Sequence, residues 1–408
     1  MSQRTLHSQL KTFVSPRTFG QQSTRVQATI AVAAIIPSFR PGPLTVQLIR
    51  DLVRWNPTID IYVVDDCTPI EDGDSKGFFK QLQRFSSRVT LLRTSTNRLK
   101  AGALNYALEY IRAEGTLPEV IITLDDDIVI ESRTIKNLVA SLLADERLGA
   151  VCSQSRALNK SQNLLTRLQG LEYLGFNAAR LSDEGFFHGP LVMHGMLTAF
   201  RANALLEVDG FRENHLIEDY DVTARIKEKG WEVRLAPNAY AWTEVPSTLG
   251  QLWRQRARWI SGGIEVVLKS SYRPAVIQDI FGHGLFIATL LVIIALYLLP
   301  NEFALPFFPV PIISIVIAFS LLQVALWYVF QLWFMRFYDE RDAVDWIIRL
   351  VILPEFLYAN FLSLVLIAAY LALIVQKGIA KMPKSTVTTH LLLLLSKLGY
   401  TQSWGTHR

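Results

Sequence analysis

Short apolar segments alternate with longer amphipathic segments over about the first 270 residues. Because strands and helices that alternate in this way build parallel sheets, the pattern predicts an α/β domain with helices on both faces of its sheet. Ligands of such sheets bind beyond the carboxyl ends of the strands. The predicted strands are Ala28–Pro37, Ile59–Val64, Val89–Arg93 and Val120–Leu124, and the predicted helices include Thr45–Trp55, Gly77–Phe85 and Ala101–Glu114.

After residue 275 the chain changes to long apolar stretches. Ile280–Pro300 and Phe308–Phe330 each hold about twenty apolar residues, which is long enough to cross a bilayer. The stretch Leu350–Val375 is equally apolar but contains Glu355 and Asn360. Three full crossings would leave the basic tail outside, so we expect this stretch to be partly interfacial or re-entrant, or a short segment such as Leu391–Leu395 to take part in a return.

The basic residues predict how the chain is oriented. The loop Pro300–Pro306 carries no Lys or Arg, whereas Lys269 and Arg336 flank the two apolar stretches. Positive residues favour the cytosolic side, so the α/β domain and the basic tail 377–408 are both predicted to be cytosolic. Residues 1–25 have no apolar core of a signal peptide, so we expect the chain to start in the cytosol.

Composition excludes several classes of protein. Half of the residues are hydrophobic and 19% are charged, which excludes a disordered chain. The net charge of +5 is too small to indicate nucleic-acid binding, and a membrane surface accounts for it equally well. Cys67 and Cys152 have neither metal-ligand spacing nor a disulfide framework around them.

Acidic clusters end two of the predicted strands, in Val63–Asp66 and Leu124–Asp127. A lone Asp at a strand end usually serves a turn or caps a helix. Three consecutive carboxylates repel one another, and a divalent cation such as Mg²⁺ or Mn²⁺ would bring them together and neutralise a departing diphosphate. Asp125 and Asp127 face the same side if the backbone stays extended.

A third acidic site, Ile217–Asp221, precedes a helical segment, Val222–Gly230. Carboxylates at a helix start are favoured by the helix dipole. They also suit a general base that takes the proton of an attacking hydroxyl. The position alone leaves both interpretations open.

The segment Gln255–Trp259 combines Gln, two Arg and Trp just before the apolar stretches, with Trp253 close by. A basic amphipathic helix at this place is typical of an interfacial anchor. Guanidinium groups also bind diphosphate, and an indole offers a flat face to a sugar ring. An anchor and a ligand site are compatible here.

Taken in chain order, these elements resemble the processive, membrane-embedded glycosyltransferases of family 2. That group includes the synthases of cellulose, chitin oligosaccharide, hyaluronan and poly-N-acetylglucosamine. The resemblance rests on five segments in the family's order, followed by apolar stretches: Val63–Asp66, Asn97–Leu108, Leu124–Asp127, Ile217–Asp221 and Gln255–Trp259.

The resemblance implies a GT-A-like, Rossmann-type nucleotide-sugar domain of the α/β class, followed by a C-terminal α-helical membrane domain. It also implies a UDP-sugar donor, an Mg²⁺ or Mn²⁺ ion and an inverting transfer that gives a β-linkage. By position, Asp219 resembles the catalytic base. The residues that resemble the UDP site are Asp66, Lys100, Asp125, Asp127 and Arg258; those of the acceptor motif are Gln255, Arg258 and Trp259; those of the metal site are Asp125 and Asp127.

Two segments suggest the sugar. Trp242–Lys269 looks most like the poly-β-1,6-N-acetylglucosamine synthases, whereas Trp404–Arg408 resembles a gating element of hyaluronan-type synthases. The two differ in linkage, but both point to N-acetylglucosamine as a donor sugar. Ile217 stands where the family usually has Thr, and Arg40 and Pro41 replace its usual Asn and Glu.

We therefore predict a UDP-sugar-dependent hexosyltransferase of the cytoplasmic membrane that extends a β-linked polysaccharide. One alternative is a non-processive enzyme that glucosylates a lipid such as ceramide or diacylglycerol, and another is a catalytically silent membrane partner. The expected partners are the donor, a polysaccharide or glycolipid acceptor, the bilayer, and an accessory subunit or second copy, without nucleic acid. The predicted divisions are a cytosolic extension (1–26), a GT-A domain (27–245), an interfacial region (246–275), membrane helices (276–376) and a cytosolic tail (377–408).

Overall fold

The computed structural model describes residues 30–69, 77, 80–82, 85, 88–115, 117–182, 188–213, 215–274, 277, 312–383 and 385–400. The strands are β1 (Val32–Ser38), β2 (Ile59–Asp65), β3 (Val89–Arg93), β4 (Val120–Leu124), β5 (Ile128–Ile130), β6 (Leu148–Ala157), β7 (Leu197–Arg201) and β8 (Glu232–Thr243). The helices are α1 (Pro43–Trp55), α2 (Leu99–Ala113), α3 (Thr134–Leu143), α4 (Leu164–Ser182), α5 (Ala202–Leu206), α6 (Glu218–Glu228), α7 (Leu249–Lys269), α8 (Ile312–Phe334), α9 (Ala343–Val351), α10 (Leu353–Ile379) and α11 (Thr386–Lys397).

Some of the predicted segments lie outside the described residues. They are the extension 1–26, most of the helix Gly77–Phe85, the apolar stretch Ile280–Pro300 and the terminal segment Trp404–Arg408. The four predicted strands and the helices that became α1 and α2 are confirmed, with ends that differ by up to four residues.

The described strands form one eight-stranded sheet in the order β3-β2-β1-β4-β7-β6-β8-β5. The first four are parallel, as predicted. The prediction of a parallel sheet is wrong beyond β4, because β7 inserts between β4 and β6 and runs antiparallel to both, and β5 runs antiparallel to β8. The sheet is therefore mixed. Pairing between strands so distant in sequence cannot be inferred from local periodicity.

Helices cover both faces of the parallel part. Every residue of β1 is buried, and its side chains alternate between the two faces. Ile36 packs in one cluster with Ile49 of α1, and Ile35 packs in the other with Leu104 of α2. Burial of each such side chain stabilises the fold by roughly 1.5–3 kcal/mol. This two-sided packing holds the carboxyl end of the parallel strands rigidly in place.

The register of β4 and β7 sets up the site. Leu124 pairs with Leu197, and the Asp125 N–H donates to the carbonyl of Met196 at 2.9 Å. The carboxyl end of β4 therefore lies against the segment that leads into β7. That segment includes Gly195.

The chain divides into two compact units, Met1–Tyr272 with Val365–Arg408, and Arg273–Leu364. Within the second unit, α8 contains no charged residue, and Arg349 pairs with Glu355 at 2.6 Å. Among the described residues, one helix, α10, is long and apolar enough to cross a membrane.

Candidate active site

Helix α6 begins with acidic residues whose side chains take different directions. Its first turn contains Glu218, Asp219 and Asp221. Asp221 turns to the protein interior, where it accepts from Arg225 Nε at 2.7 Å. Glu218 and Asp219 instead lie at the carboxyl end of the sheet with the predicted donor residues, where the N-terminal end of the helix dipole favours negative charge.

Lys100, in the first turn of α2, connects the acidic sites. Its Nζ lies 2.6 Å from Asp125 Oδ1 and 2.9 Å from Glu218 Oε1, and it donates to the carbonyl of Gly195 at 3.0 Å. Residues from α2, the end of β4 and the start of α6 thus converge on one ammonium group. The structure brings together Lys100, Asp125 and the Ile217–Asp221 motif, as the sequence predicts.

The shared ammonium separates the pKa values of the surrounding carboxyls. Burial would raise the pKa of Glu218, but Lys100 outweighs it and holds that pKa below its ordinary value. For Asp219, burial and then the charge of Glu218 raise the pKa to about 6. Burial lowers the pKa of Lys100, but the carboxylates of Asp125, Glu218 and Asp219 raise it overall. With a pKa of about 6, Asp219 is ionised at neutral pH and more basic than an ordinary Asp, which suits a general base.

One face of α6 holds the segment 189–195 by its backbone. Asp219, Thr223 and Lys227 are spaced four residues apart, so their side chains lie in a row along the helix. Thr223 also donates to the carbonyl of Asp219 at 2.6 Å. The contacts of the row are Gly195 N–H to Asp219 Oδ2 (2.6 Å), Met193 N–H to Thr223 Oγ1 (3.2 Å), and Lys227 Nζ to the carbonyls of Gly189 (3.0 Å) and Pro190 (3.1 Å).

Gly195 has no room for a side chain. A Cβ at this position would lie 2.7 Å from Lys100 Nζ and 3.1 Å from Asp219 Oδ2. The close approach lets the backbone of residue 195 bind both groups at once. Beneath them a small pocket has a largely apolar lining, which explains the desolvation of the carboxylates; its apolar lining residues are Leu104, Met193, Phe200, Phe211 and Val222.

Asp66, predicted to contact UDP, is fully buried in this structure. Its carboxylate accepts from Thr94 Oγ1 and from the backbone N–H of Arg98, both at 2.9 Å. Arg98 is the residue before α2, so Asp66 fixes the start of the helix that carries Lys100. Asp126, the middle residue of the acidic triplet, accepts from the hydroxyl of Ser38.

The Asp125–Asp127 turn is the candidate metal site. Asp125 contacts Lys100, Asp126 points away to β1, and Asp127 is half-buried next to β5. No three metal-ligating side chains converge among the described residues. Mg²⁺ at a phosphate site takes only one or two carboxylates, because phosphate and water oxygens complete its shell. The oxygen donors of Asp125 and Asp127 fit that kind of site.

Helix α7 carries the Gln255–Trp259 motif on a partly buried face. Gln255 and Arg256 are buried, and Arg256 donates to Gln255 Oε1 at 2.9 Å. Arg256 also pairs with Glu172 of α4 at 2.5 Å and stacks over the Trp259 ring at 4.1 Å. Arg256 therefore fixes both the orientation of α7 and the plane of the indole.

Arg258 is only partly buried, unlike Arg256. Its charge contributes to the lowered pKa of Glu218. Trp259 packs against Tyr173 and Val245. Of the two arginines in the motif, it is Arg258 that lies within electrostatic reach of the Lys100 cluster.

The start of α6 packs directly against α7. A Cβ on Gly262 would lie 2.0 Å from Ile217 Cγ1 and 3.0 Å from Leu216 Cβ. The Ile217 side chain thus occupies the space that Gly262 leaves open. This contact gives a physical reason for an apolar residue at position 217, where the resembled family usually has Thr.

Sequence reasoning did not assign three residues of this site. Glu218 was part of a motif, but its pairing with Lys100 depends on the approach of α2 and α6. Gly195 had no distinguishing local pattern. Arg256 stands at a variable position of its motif, and only the packing of α7 on α4 shows that it is buried.

Sequence comparison agrees with this geometry. The family described as Glycosyl transferase family group 2 matches residues 120–375, more than half of the chain. This chain is a family-2 glycosyltransferase. The family described as Glycosyl transferase family 2 also matches residues 33–205, which contain β1–β4, Lys100 and the acidic triplet.

The curated relatives of this family-2 glycosyltransferase are distant. It is 28% identical over 241 residues to the probable glycosyltransferase YdaM of Bacillus subtilis, covering 58% of this chain and 56% of that one. It is 29% identical over 176 residues to the poly-β-1,6-N-acetyl-D-glucosamine synthase of Staphylococcus aureus, covering 43% of this chain and 41% of the relative. The chain thus spans about half the length of the curated relatives it matches.

A solved structure supports the fold. The mannosyltransferase PcManGT of Pyrobaculum calidifontis, in complex with GDP-Man and Mn²⁺, matches with a TM-score of 0.52. The match is 16% identical and covers 85% of this chain and 94% of that one. The family-2 glycosyltransferase therefore has a GT-A-like α/β fold.

Proposed function

We propose that this family-2 glycosyltransferase transfers N-acetylglucosamine from UDP-GlcNAc to a growing β-linked polysaccharide at a membrane. The observation that carries the proposal is the convergence of Lys100, Asp125, Glu218 and Asp219 on one charged site. The choice of sugar is supported by the 29% identity to a poly-β-1,6-N-acetyl-D-glucosamine synthase.

In this proposal Asp219 is the general base. It accepts the proton of the acceptor hydroxyl as that oxygen attacks the anomeric carbon of the donor. The bond from the anomeric carbon to the diphosphate oxygen breaks, and UDP leaves with the electron pair. Attack on the face opposite the leaving group inverts the anomeric centre. A base with a pKa of about 6 is ionised at neutral pH and is more basic than an ordinary Asp.

The cationic residues bind the departing diphosphate. Lys100 would exchange part of its pairing with Glu218 and Asp125 for phosphate oxygens, and Arg258 would bind the same diphosphate, because phosphate oxygens suit ammonium and guanidinium groups. Asp66 holds the start of α2 and, as proposed from its motif, lies near the uridine. Asp125 and Asp127 would hold Mg²⁺ or Mn²⁺, which when bound neutralises diphosphate charge; a structural relative was solved with Mn²⁺.

The α7 motif would bind the acceptor. Trp259 offers an indole face to the terminal sugar, and Arg256 fixes the plane of that indole by stacking on it. Gln255 is held by the same guanidinium. These contacts would keep the acceptor hydroxyl aligned with Asp219.

Membrane embedding with a cytosolic catalytic domain is also part of the proposal. Helix α10 has the length and composition of a membrane span. Helix α8 exposes a set of large apolar side chains, each more than half accessible: Leu321, Leu322, Leu326, Val329 and Phe330. Exposed apolar patches of this kind mark membrane or protein contact. An accessory subunit or a second copy would help the polymer to leave through the membrane.

The test is donor-dependent UDP release by the full chain purified in detergent. Purified protein is incubated with Mg²⁺ or Mn²⁺ and separately with UDP-GlcNAc, UDP-Glc, UDP-GlcA or GDP-mannose, and products are sized and digested with linkage-specific hydrolases. We expect UDP release from UDP-GlcNAc and a ladder of long chains. A single glycolipid product would favour the non-processive alternative.

Matched variants make the test specific. Asp219→Asn should lower transfer by roughly 10²–10⁴-fold and retain UDP binding. Asp60→Asn, at an exposed position of β2, should behave as wild type. Absence of nucleotide release from every donor would contradict the proposed function and favour a silent binding partner.

A further inference from the structure

Two buried polar atoms next to the candidate base have no hydrogen-bond partner among the described residues. They are Nδ1 of His194 and Nη1 of Arg180. Buried polar groups are nearly always paired, because an unpaired one costs about 1–3 kcal/mol. Two such atoms in one neighbourhood indicate a place where a ligand supplies the missing partner.

His194 can only be an acceptor at its unpaired nitrogen. Its Nε2 contacts the carbonyl of Ser153, which accepts, so Nε2 carries the proton. Burial, then the charge of Arg180, lowers the pKa of His194 to about 3, so the ring is neutral at physiological pH. Its Nδ1 therefore presents a lone pair.

Arg180, near the end of α4, presents a donor. Its Nε–H donates to the carbonyl of Val192 at 3.0 Å, and its guanidinium lies 5.8 Å from the Phe176 ring centre. Those contacts fix the guanidinium and leave Nη1 without a partner among the described residues. The charge of Arg180 also contributes to the lowered pKa of His194, so the guanidinium lies within electrostatic reach of the imidazole.

Both residues border Asp219. His194 precedes Gly195, whose N–H binds the Asp219 carboxylate. Burial lowers the pKa of Arg180, and the charge of Asp219 offsets only part of that effect, so Asp219 lies within electrostatic reach of the guanidinium. A group held between Arg180 and His194 would therefore lie beside the candidate base.

A sugar hydroxyl matches this pair. Its O–H donates to a lone pair such as His194 Nδ1, while its oxygen accepts from a donor such as Arg180 Nη1. A bare anion accepts from the guanidinium but cannot donate to the lone pair of His194. An ammonium group donates to that lone pair but cannot accept from Arg180. The pair is thus complementary to a neutral hydroxyl.

We propose that Arg180 and His194 form a subsite that binds one hydroxyl of the acceptor sugar and so positions the sugar at Asp219. The inference rests on the proposed function. The two residues determine acceptor affinity, whereas the donor binds on the side of Asp219 that faces Lys100 and Asp125.

Two substitutions of His194 distinguish the role of Nε2 from the role of Nδ1. Gln reaches the Nε2 position and can keep the bond to Ser153 without the Nδ1 acceptor, whereas Asn places an oxygen near Nδ1. Arg180→Met removes the donor. Arg147→Met is the matched control, because Arg147 is exposed and pairs with Asp145 and Glu232.

The experiment uses the full chain in detergent with UDP-GlcNAc as donor and a β-1,6-linked N-acetylglucosamine tetramer as acceptor. We expect Arg180→Met and His194→Gln each to raise the acceptor KM about tenfold or more. The acceptor KM of His194→Asn should lie much closer to that of wild type. The donor KM and the affinity for UDP should stay within about twofold of wild type. The acceptor KM of the double variant Arg180→Met/His194→Gln should not exceed the higher of the two single-variant values, because both residues bind one hydroxyl.

The outcomes distinguish the two proposals. A wild-type chain that transfers no sugar overturns the proposed function and the subsite with it. An active wild type whose variants match Arg147→Met in acceptor KM overturns the subsite alone. A parallel loss of UDP affinity in Arg180→Met and His194→Gln would assign both residues a structural role and also overturn it.

Discussion

The substitution Asp219→Asn removes a carboxylate that the fold holds in an unfavourable ionised form. Burial and Glu218 raise the pKa of Asp219 from 3.8 to about 6. A difference of about two pKa units corresponds to about 3 kcal/mol. Asn keeps one acceptor but loses the second, so one of the bonds from the N–H groups of Gly195 and Tyr220 is lost, at about 1–2 kcal/mol. The variant should therefore be more stable than wild type at neutral pH by about 1–2 kcal/mol.

The pH dependence has a definite sign. A carboxyl with a raised pKa in the folded state binds its proton more tightly there than in the unfolded chain, so it destabilises the fold as pH rises from about 4 to about 6. Asn does not titrate in this range. The stability advantage of Asp219→Asn should appear across that interval and stay constant above it. Below about pH 4 only the lost hydrogen bond remains.

Guanidinium unfolding at about pH 4 and about pH 7.5 measures the stability difference, and UDP release measures activity. Loss of a general base should lower turnover by roughly 10²–10⁴-fold. Asp145→Asn is the control of opposite sign, because Arg147 lowers the pKa of Asp145 to about 2 and the variant should lose stability at neutral pH. An Asp219→Asn variant that is less stable than wild type at neutral pH, or turns over normally, would refute the reasoning.

Three further predictions concern the packing of the site and its binding of the donor. Gly262→Ala should lower turnover strongly, because its methyl group would meet Ile217, and Ile217→Ala in the same chain should restore much of it; UDP release measures both. Thr223→Val should cost about 1–3 kcal/mol in unfolding experiments, because it leaves the Met193 N–H buried without an acceptor, and Thr223→Ser should recover the loss. Lys100→Met should weaken UDP binding in calorimetry at least tenfold, since it removes the cation that faces the proposed diphosphate site.

Each of these has a result that would contradict it. Full activity of Gly262→Ala would show that the start of α6 tolerates displacement. Equal stability of the Val and Ser variants at position 223 would show that the hydroxyl does not stabilise the fold. Unchanged UDP affinity in Lys100→Met would separate Lys100 from the donor site.

The sequence was sufficient for the parallel half of the sheet and for the acidic motifs. Apolar runs such as Val120–Leu124 are buried whatever their neighbours are, and acids at strand ends meet at the same edge. The antiparallel insertion of β7 depends on pairing between distant segments, which local patterns do not contain. The roles of Arg256 and Arg258 follow from which face of α7 packs on α4. Two residues along a helix differ by about 200° in direction, so composition alone could not separate them.

The row of Asp219, Thr223 and Lys227 binds the segment 189–195 through hydrogen bonds to its backbone groups. The identity of most side chains in that segment is therefore uncoupled from the placement of the carboxylate at position 219. Position 194 can therefore be exchanged while the Asp219 carboxylate keeps its place, although binding of the acceptor changes. Enzyme engineering aimed at new acceptors should begin at this position, because a new side chain there changes acceptor selectivity without moving the carboxylate that acts as the base.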